Sequence, residues 1–113
     1  MRPQVMGQCF HIGDRLIDLG SPIKQIVTAG NRHLVLIDPF ARNNRNVYCF
    51  DDQGNQIWQI EAAPNVDGLV KDAWIQLFLV DNERVRGRTF SGFEIEIELR
   101  NGKMIHGTGG DTK

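Results

Sequence analysis

Between Asn46 and Glu61 the chain reads Val47-Tyr48-Cys49-Phe50, then Asp51-Asp52-Gln53-Gly54, then Ile57-Trp58-Gln59-Ile60. Aromatic and β-branched residues fill both arms, and such side chains fit the pleated surface of a strand. The Asp/Gln/Gly run between them has the chemistry of a tight reversal, so the stretch predicts a β-hairpin. Its arms carry apolar residues on both faces: Val47, Cys49 and Ile57 on one, Tyr48, Phe50, Trp58 and Ile60 on the other. A lone sheet in water needs only one apolar face, so something else must cover the second.

The flanking sequence extends this hairpin into a sheet. Ile23 to Thr28 and His33 to Ile37 predict two more strands, joined at Gly30-Asn31, a dipeptide suited to the positive φ of a two-residue turn. Leu34-Val35-Leu36-Ile37 is apolar on both faces and predicts a central strand. Asp38 to Arg45, with Pro39 disfavouring a helical Asp38, reads as a loop, and so does Ala62 to Gly68. Lys71 to Val80 is again strand-like, with Trp74, Phe78 and Val80 on one face and Ile75, Leu77 and Leu79 on the other. Residues 1 to about 9 read as a loose arm, and Phe10 to Leu19 as a first strand or an irregular lead-in.

One register follows from burial cost. Arg84, Arg86 and Arg88 alternate with Val85, Gly87 and Thr89, while Phe93, Ile95, Ile97 and Leu99 alternate with Glu94, Glu96 and Glu98. A two-residue turn at Ser91-Gly92 puts three arginines on the apolar face, which desolvation forbids. A three-residue loop, Phe90-Ser91-Gly92, sets Arg88 opposite Glu94, Arg86 opposite Glu96 and Arg84 opposite Glu98. Each such cross-strand pair contributes roughly 0.2–1 kcal/mol. The same loop fits Asp52-Gln53-Gly54 and Arg100-Asn101-Gly102, the latter placing Ile105 opposite Ile97. A shift of about 48 residues then superposes Gly54 on Gly102 and Cys49 on Ile97, the mark of a structural repeat. The predicted architecture is all-β: about eight antiparallel strands as two four-stranded, blade-like meanders, packed as a sandwich or rolled into a barrel. Repeat one spans about 22–61 and repeat two about 71–107 of a single domain over 1–107. The small, polar residues 108–113 form a tail expected to be disordered.

The run Asn46 to Trp58, with its aromatic, Asp, Gly and Trp spacing, resembles the blade repeat of quinoprotein-type (PQQ-like) β-propellers. The second copy keeps Gly102 but has His106 where Trp58 stands. The resemblance implies a four-stranded sheet. Closure of a propeller needs at least about four blades, so two copies imply neither a ring nor a quinone cofactor.

Composition narrows function mainly by exclusion. Charged residues make up 24% and net charge is -1, which supplies no general attraction to nucleic acid or anionic membranes. No run approaches the ~18 apolar residues of a membrane helix, and no apolar leader is present, so the expected location is cytoplasmic. Cys9 and Cys49 have apolar neighbours and are expected to be free thiols. Cys9-x-His11 lacks a second metal-ligand pair, and His33 and His106 lie far off in sequence, so no metal site is expected. Asp51 and Asp52 lack the alternation of a calcium loop and are expected to shape a turn. No phosphate loop, nucleophile elbow or zinc-protease motif occurs, and no cofactor is expected.

These absences, with surplus apolar sheet surface, predict a small non-enzymatic module that binds a protein or itself, a homodimer being one form. On composition, an immunity or inhibitor protein is the narrower expectation. The expected interface gathers Ile75, Leu77 and Leu79 on the charged face of repeat two with Arg84, Arg86 and Arg88, and adds Tyr48 and Trp58. The alternative is a small-molecule-binding barrel or enzyme whose mouth is lined by Trp58, Tyr48, His33 or Arg45.

Overall fold

The computed structural model describes residues 4–38, 45–61, 73–90 and 92–105. Among them the chain is all-β, with ten strands in three antiparallel sheets and no closed barrel. The central sheet is the predicted first meander: β4 (Ile23–Ala29), β5 (Arg32–Ile37), β6 (Val47–Phe50) and β7 (Gln56–Gln59), in that order. Ala29 pairs with Arg32 across Gly30-Asn31, where Gly30 takes φ +60°. Asp51 N donates to Asn55 O at 3.0 Å and Gly54 has φ +84°, so the β6–β7 loop has the three residues expected. Asp51 shapes it, its Oδ1 accepting from Gln53 N and Asn55 N, both at 2.9 Å.

The faces of that hairpin differ from expectation. Phe50 pairs with Gln56 but Cys49 pairs with Trp58, so Ile57 is an extra, bulged residue. The bulge turns Trp58 onto the Val47/Cys49 face and leaves Ile57 exposed. Leu34 and Leu36 share that face, while Val35, Ile37 and Phe50 point the other way.

The second face is covered by a sheet that the sequence conceals. The expected loose arm contains β1 (Gln4–Met6), and the lead-in resolves into β2 (Cys9–Ile12) and β3 (Arg15–Asp18), a meander folded at Gly7 and Gly13. Phe10 and Ile12 are fully buried against Val35, Ile37 and Phe50, with the Phe10 and Phe50 rings edge to face at 5.0 Å. The expectation of about eight strands in two sheets is thereby corrected to a layered sandwich of three, four and three strands. Strands of three or four residues give too short a pattern to reveal alternation.

The third sheet runs β10-β9-β8, from β8 (Trp74–Leu79), β9 (Arg84–Thr89) and β10 (Glu94–Glu98). Its Arg/Glu register is the predicted one: Glu94 opposite Arg88, Glu96 opposite Arg86, Glu98 opposite Arg84. Thr89 N donates to Phe93 O at 2.8 Å, and Gly92 takes φ +102°. A bulge between Trp74 and Gln76 brings Trp74 and Leu77 to the same inner face. Repeat two lacks a full fourth strand among the described residues: only a bridge joins Ile97 to Met104. Gly102 N donates to Glu98 O and Glu98 N to Lys103 O, so four residues, Leu99–Gly102, close the turn. Met104, not Ile105, therefore lies opposite Ile97. His106 and the expected tail fall outside the described residues, as do the loop residues Phe40 and Arg42.

Two side-chain amides join the third sheet to the central one along β8. Asn46, fully buried, receives Trp74 N at 3.2 Å and donates to Trp74 O at 2.7 Å and to Ile37 O at 3.1 Å. Gln25 receives Leu77 N and donates to Leu77 O, both at 2.8 Å. Each carboxamide reproduces the donor and acceptor of a peptide group, so β8 meets two side chains where a neighbouring strand would lie.

Candidate functional site

Alternation in β9 and β10 sends Val85, Gly87, Thr89 and Ile97 inward, which leaves three arginines and three glutamates on the outer face of the third sheet. The charges pair more diagonally than straight across. Glu96 takes Arg84 at 3.1 Å and Arg86 at 3.2 Å, Arg86 reaches Glu94 at 3.9 Å, and Glu98 meets Arg100 at 3.9 Å. Arg88 has no ion pair among the described residues. Asp81 organises the β8–β9 turn: its Oδ1 accepts from Glu83 N and Arg84 N, and its Oδ2 from the Arg84 guanidinium at 3.0 Å. The Glu83 amide and the Arg84 guanidinium hold the Asp81 carboxyl below its usual range, and Asp81 in turn raises the pKa of Arg84.

Beside these rows runs an apolar strip different from the one expected. Leu77 is buried at 2% exposure because the β8 bulge turns it inward beside Trp74. Phe78, opposite Arg86, and Val80, whose N donates to Arg84 O, stand on the charged face, each 37% exposed. Leu79 lies opposite Val85 on the inner side yet is 48% exposed, beyond the end of the packed core. Ile75, at the bulge, is 36% exposed. Phe78 and Val80 therefore form the apolar strip beside the charged rows, with Ile75 exposed at the bulge and Leu79 on the other side of the sheet.

Tyr48 and Trp58 do not converge. Tyr48 is half-buried against Phe50 on the side of the N-terminal sheet, while Trp58 is buried between the other two sheets with its Nε1 donating to Leu99 O at 2.7 Å. The Ile57 bulge separates them. His33 is fully buried, with Nδ1 3.0 Å from Thr28 Oγ1 and Nε2 2.7 Å from Asp52 Oδ1. The Asp52 carboxylate can only accept, so it takes Nε2–H, while Nδ1 shares a hydrogen bond with the Thr28 hydroxyl. This chain ties β4, β5 and the β6–β7 loop together. Arg45 is spent on the backbone, its Nε donating to Ile60 O at 3.0 Å. The four residues expected at a barrel mouth thus serve separate places in the fold.

Both cysteines are free thiols, Cys49 fully buried. Burial pushes the Cys49 thiol up to about 12, with Arg32 opposing and the Asp51 charge adding. Burial raises Cys9 as well, and Asp18 adds to it. Among the described residues no group of three His, Cys, Asp or Glu side chains is placed to hold a metal, and no helix is long and apolar enough to cross a membrane.

A family model described as a domain of unknown function, DUF7957, matches residues 2–108, nearly the whole chain and all three sheets. No curated protein matches it.

Proposed function

We propose that this chain, which belongs to the DUF7957 family, is a non-enzymatic binding module that associates with a second copy of itself through the outer face of its third sheet. The observation that carries this reading is the self-complementarity of that face. The arginine row on β9 and the glutamate row on β10 lie side by side in antiparallel register. A two-fold axis parallel to the strands, placed between those rows, sets the arginines of one copy over the glutamates of the other, as an isologous interface requires. Phe78 and Val80 flank the rows and supply apolar area next to them. Exposed ion pairs are individually weak, so the charges fix orientation while the apolar strip supplies affinity.

A charge-swap cycle tests this. Arg86→Glu sets glutamate against glutamate across the two-fold, and Glu96→Arg sets arginine against arginine; either change should weaken dimerisation by about tenfold or more. The double variant R86E/E96R restores complementarity both within and between copies and should dimerise as the parent does. Single variants that dimerise with unchanged affinity would remove this face from the interface.

A further inference from the structure

Where the central and third sheets part, beyond the last core residues, they leave a cleft of about 560 Å³. The Gly30-Asn31 turn forms one wall; the β8–β9 turn at Asn82-Glu83 and the segment from Glu98 to Arg100 form the other. Its volume falls within the range of small-molecule sites, but its charged lining suits a polar ligand.

Arg32 is the telling residue. It follows the alternation of Leu34 and Leu36, so its side chain leaves the core-facing side of β5 and enters the cleft half-buried. Its guanidinium has no hydrogen bond or ion pair among the described residues. Asp51 senses its charge, yet the Asp51 oxygens already accept from Gln53 N, Asn55 N and the Asn55 amide. A half-buried guanidinium at the cleft leaves its five donors free to take an acceptor from outside. Across the cleft the Glu83 side chain is without a partner among the described residues, while the Glu98 carboxylate, on the outer face, meets Arg100 at 3.9 Å. Arg84, by contrast, is already held by Asp81 and Glu96.

We infer that this cleft binds a small zwitterion of amino-acid or dipeptide size, its carboxylate on Arg32 and its ammonium facing Glu83. Glu83 and Arg32 on opposite walls suit a ligand that carries both charges better than a simple anion or a simple cation. Arg32 and Glu83 stand outside the charged rows of the self-association proposed above, and Arg84 and Glu98 of those rows border the cleft.

Glycylglycine, N-acetylglycylglycine and glycylglycine amide separate the two ends of such a ligand. Each is titrated into the full chain while the backbone amide resonances of Gly30, Asn31 and Arg32 are followed by NMR, with thermal unfolding confirming that variants are folded. Glycylglycine should give saturable shifts, and both blocked forms should bind at least about tenfold more weakly. Arg32→Met and Glu83→Gln should each lower affinity for the unblocked dipeptide by a similar factor. Equal binding of either blocked form, undiminished binding by R32M, or no saturable shift up to about 10 mM dipeptide overturns the assignment.

Discussion

Each of the two tryptophans lies on a glycine of the third sheet's segment. A Cβ on Gly87 would stand 2.6 Å and 2.7 Å from ring atoms of Trp74, and one on Gly102 would run into the six-membered ring of Trp58. Gly102 also has φ +76°, so it is required twice over, for space and for backbone. Gly30 needs only its positive φ, with nothing within 4 Å of a Cβ. Denaturant unfolding should therefore rank the alanine variants: Gly102→Ala losing about 3 kcal/mol, Gly87→Ala about 2, and Gly30→Ala about 1. A Gly87→Ala protein as stable as Gly30→Ala would contradict the Trp74 contact. Cys49 gives a pH dependence of definite sign. Its thiol ionises near 12 when folded and near 9.0 when unfolded. The stability gained by keeping it neutral is intact below pH 9.0 and is lost as pH climbs toward 12. Between roughly pH 8 and roughly pH 11 the parent should lose about 2 kcal/mol more than Cys49→Ala, as unfolding midpoints at the two pH values would show. At this scale the sequence is legible for turn glycines, because positive φ selects them. It is silent on Gly87, whose partner Trp74 acts across the sheet.

Strands and loops were readable wherever a wrong register would bury charge. A one-residue slip between the Arg84–Arg88 and Glu94–Glu98 rows would put the arginines on the apolar face, and the structure adopts the pairing that avoids it. The bulges at Ile57 and Ile75 had no such constraint: their neighbours are apolar in either register, so the sequence does not mark which side chain turns. Those two residues account for the altered positions of Trp58 and Leu77. The β8 edge offers a test at this scale. Asn46→Leu keeps the approximate volume but strands the Trp74 backbone groups in a buried site and should cost about 3 kcal/mol. Gln25→Leu, at a half-buried position, should cost about 1 kcal/mol. Hydrogen exchange should locate each effect, with protection falling at the Trp74 amide in the first variant and at Leu77 in the second. Unchanged protection at both amides would mean that the carboxamides are not what pairs with β8.

The molecule as a whole answers the question posed by its two-faced central hairpin. Three strands from the N-terminal region cover one face and three from the second half cover the other, so the surplus apolar surface of β5 and β6 is used internally. On the outer face of the third sheet Phe78 and Val80 stay exposed beside the charged rows, and the proposed function rests on that face. The candidate interface was partly legible in sequence: the arginines and their glutamate partners stand where alternation puts them, whereas Leu77, Trp58 and Tyr48 are drawn into packing by the bulges and the third layer. Multi-angle light scattering across a dilution series of the full chain tests the self-association directly. A mass that rises toward twice 12.8 kDa with concentration, and stays at 12.8 kDa for Phe78→Asp, is the predicted result. A parent chain that holds at 12.8 kDa up to about 1 mM would contradict it.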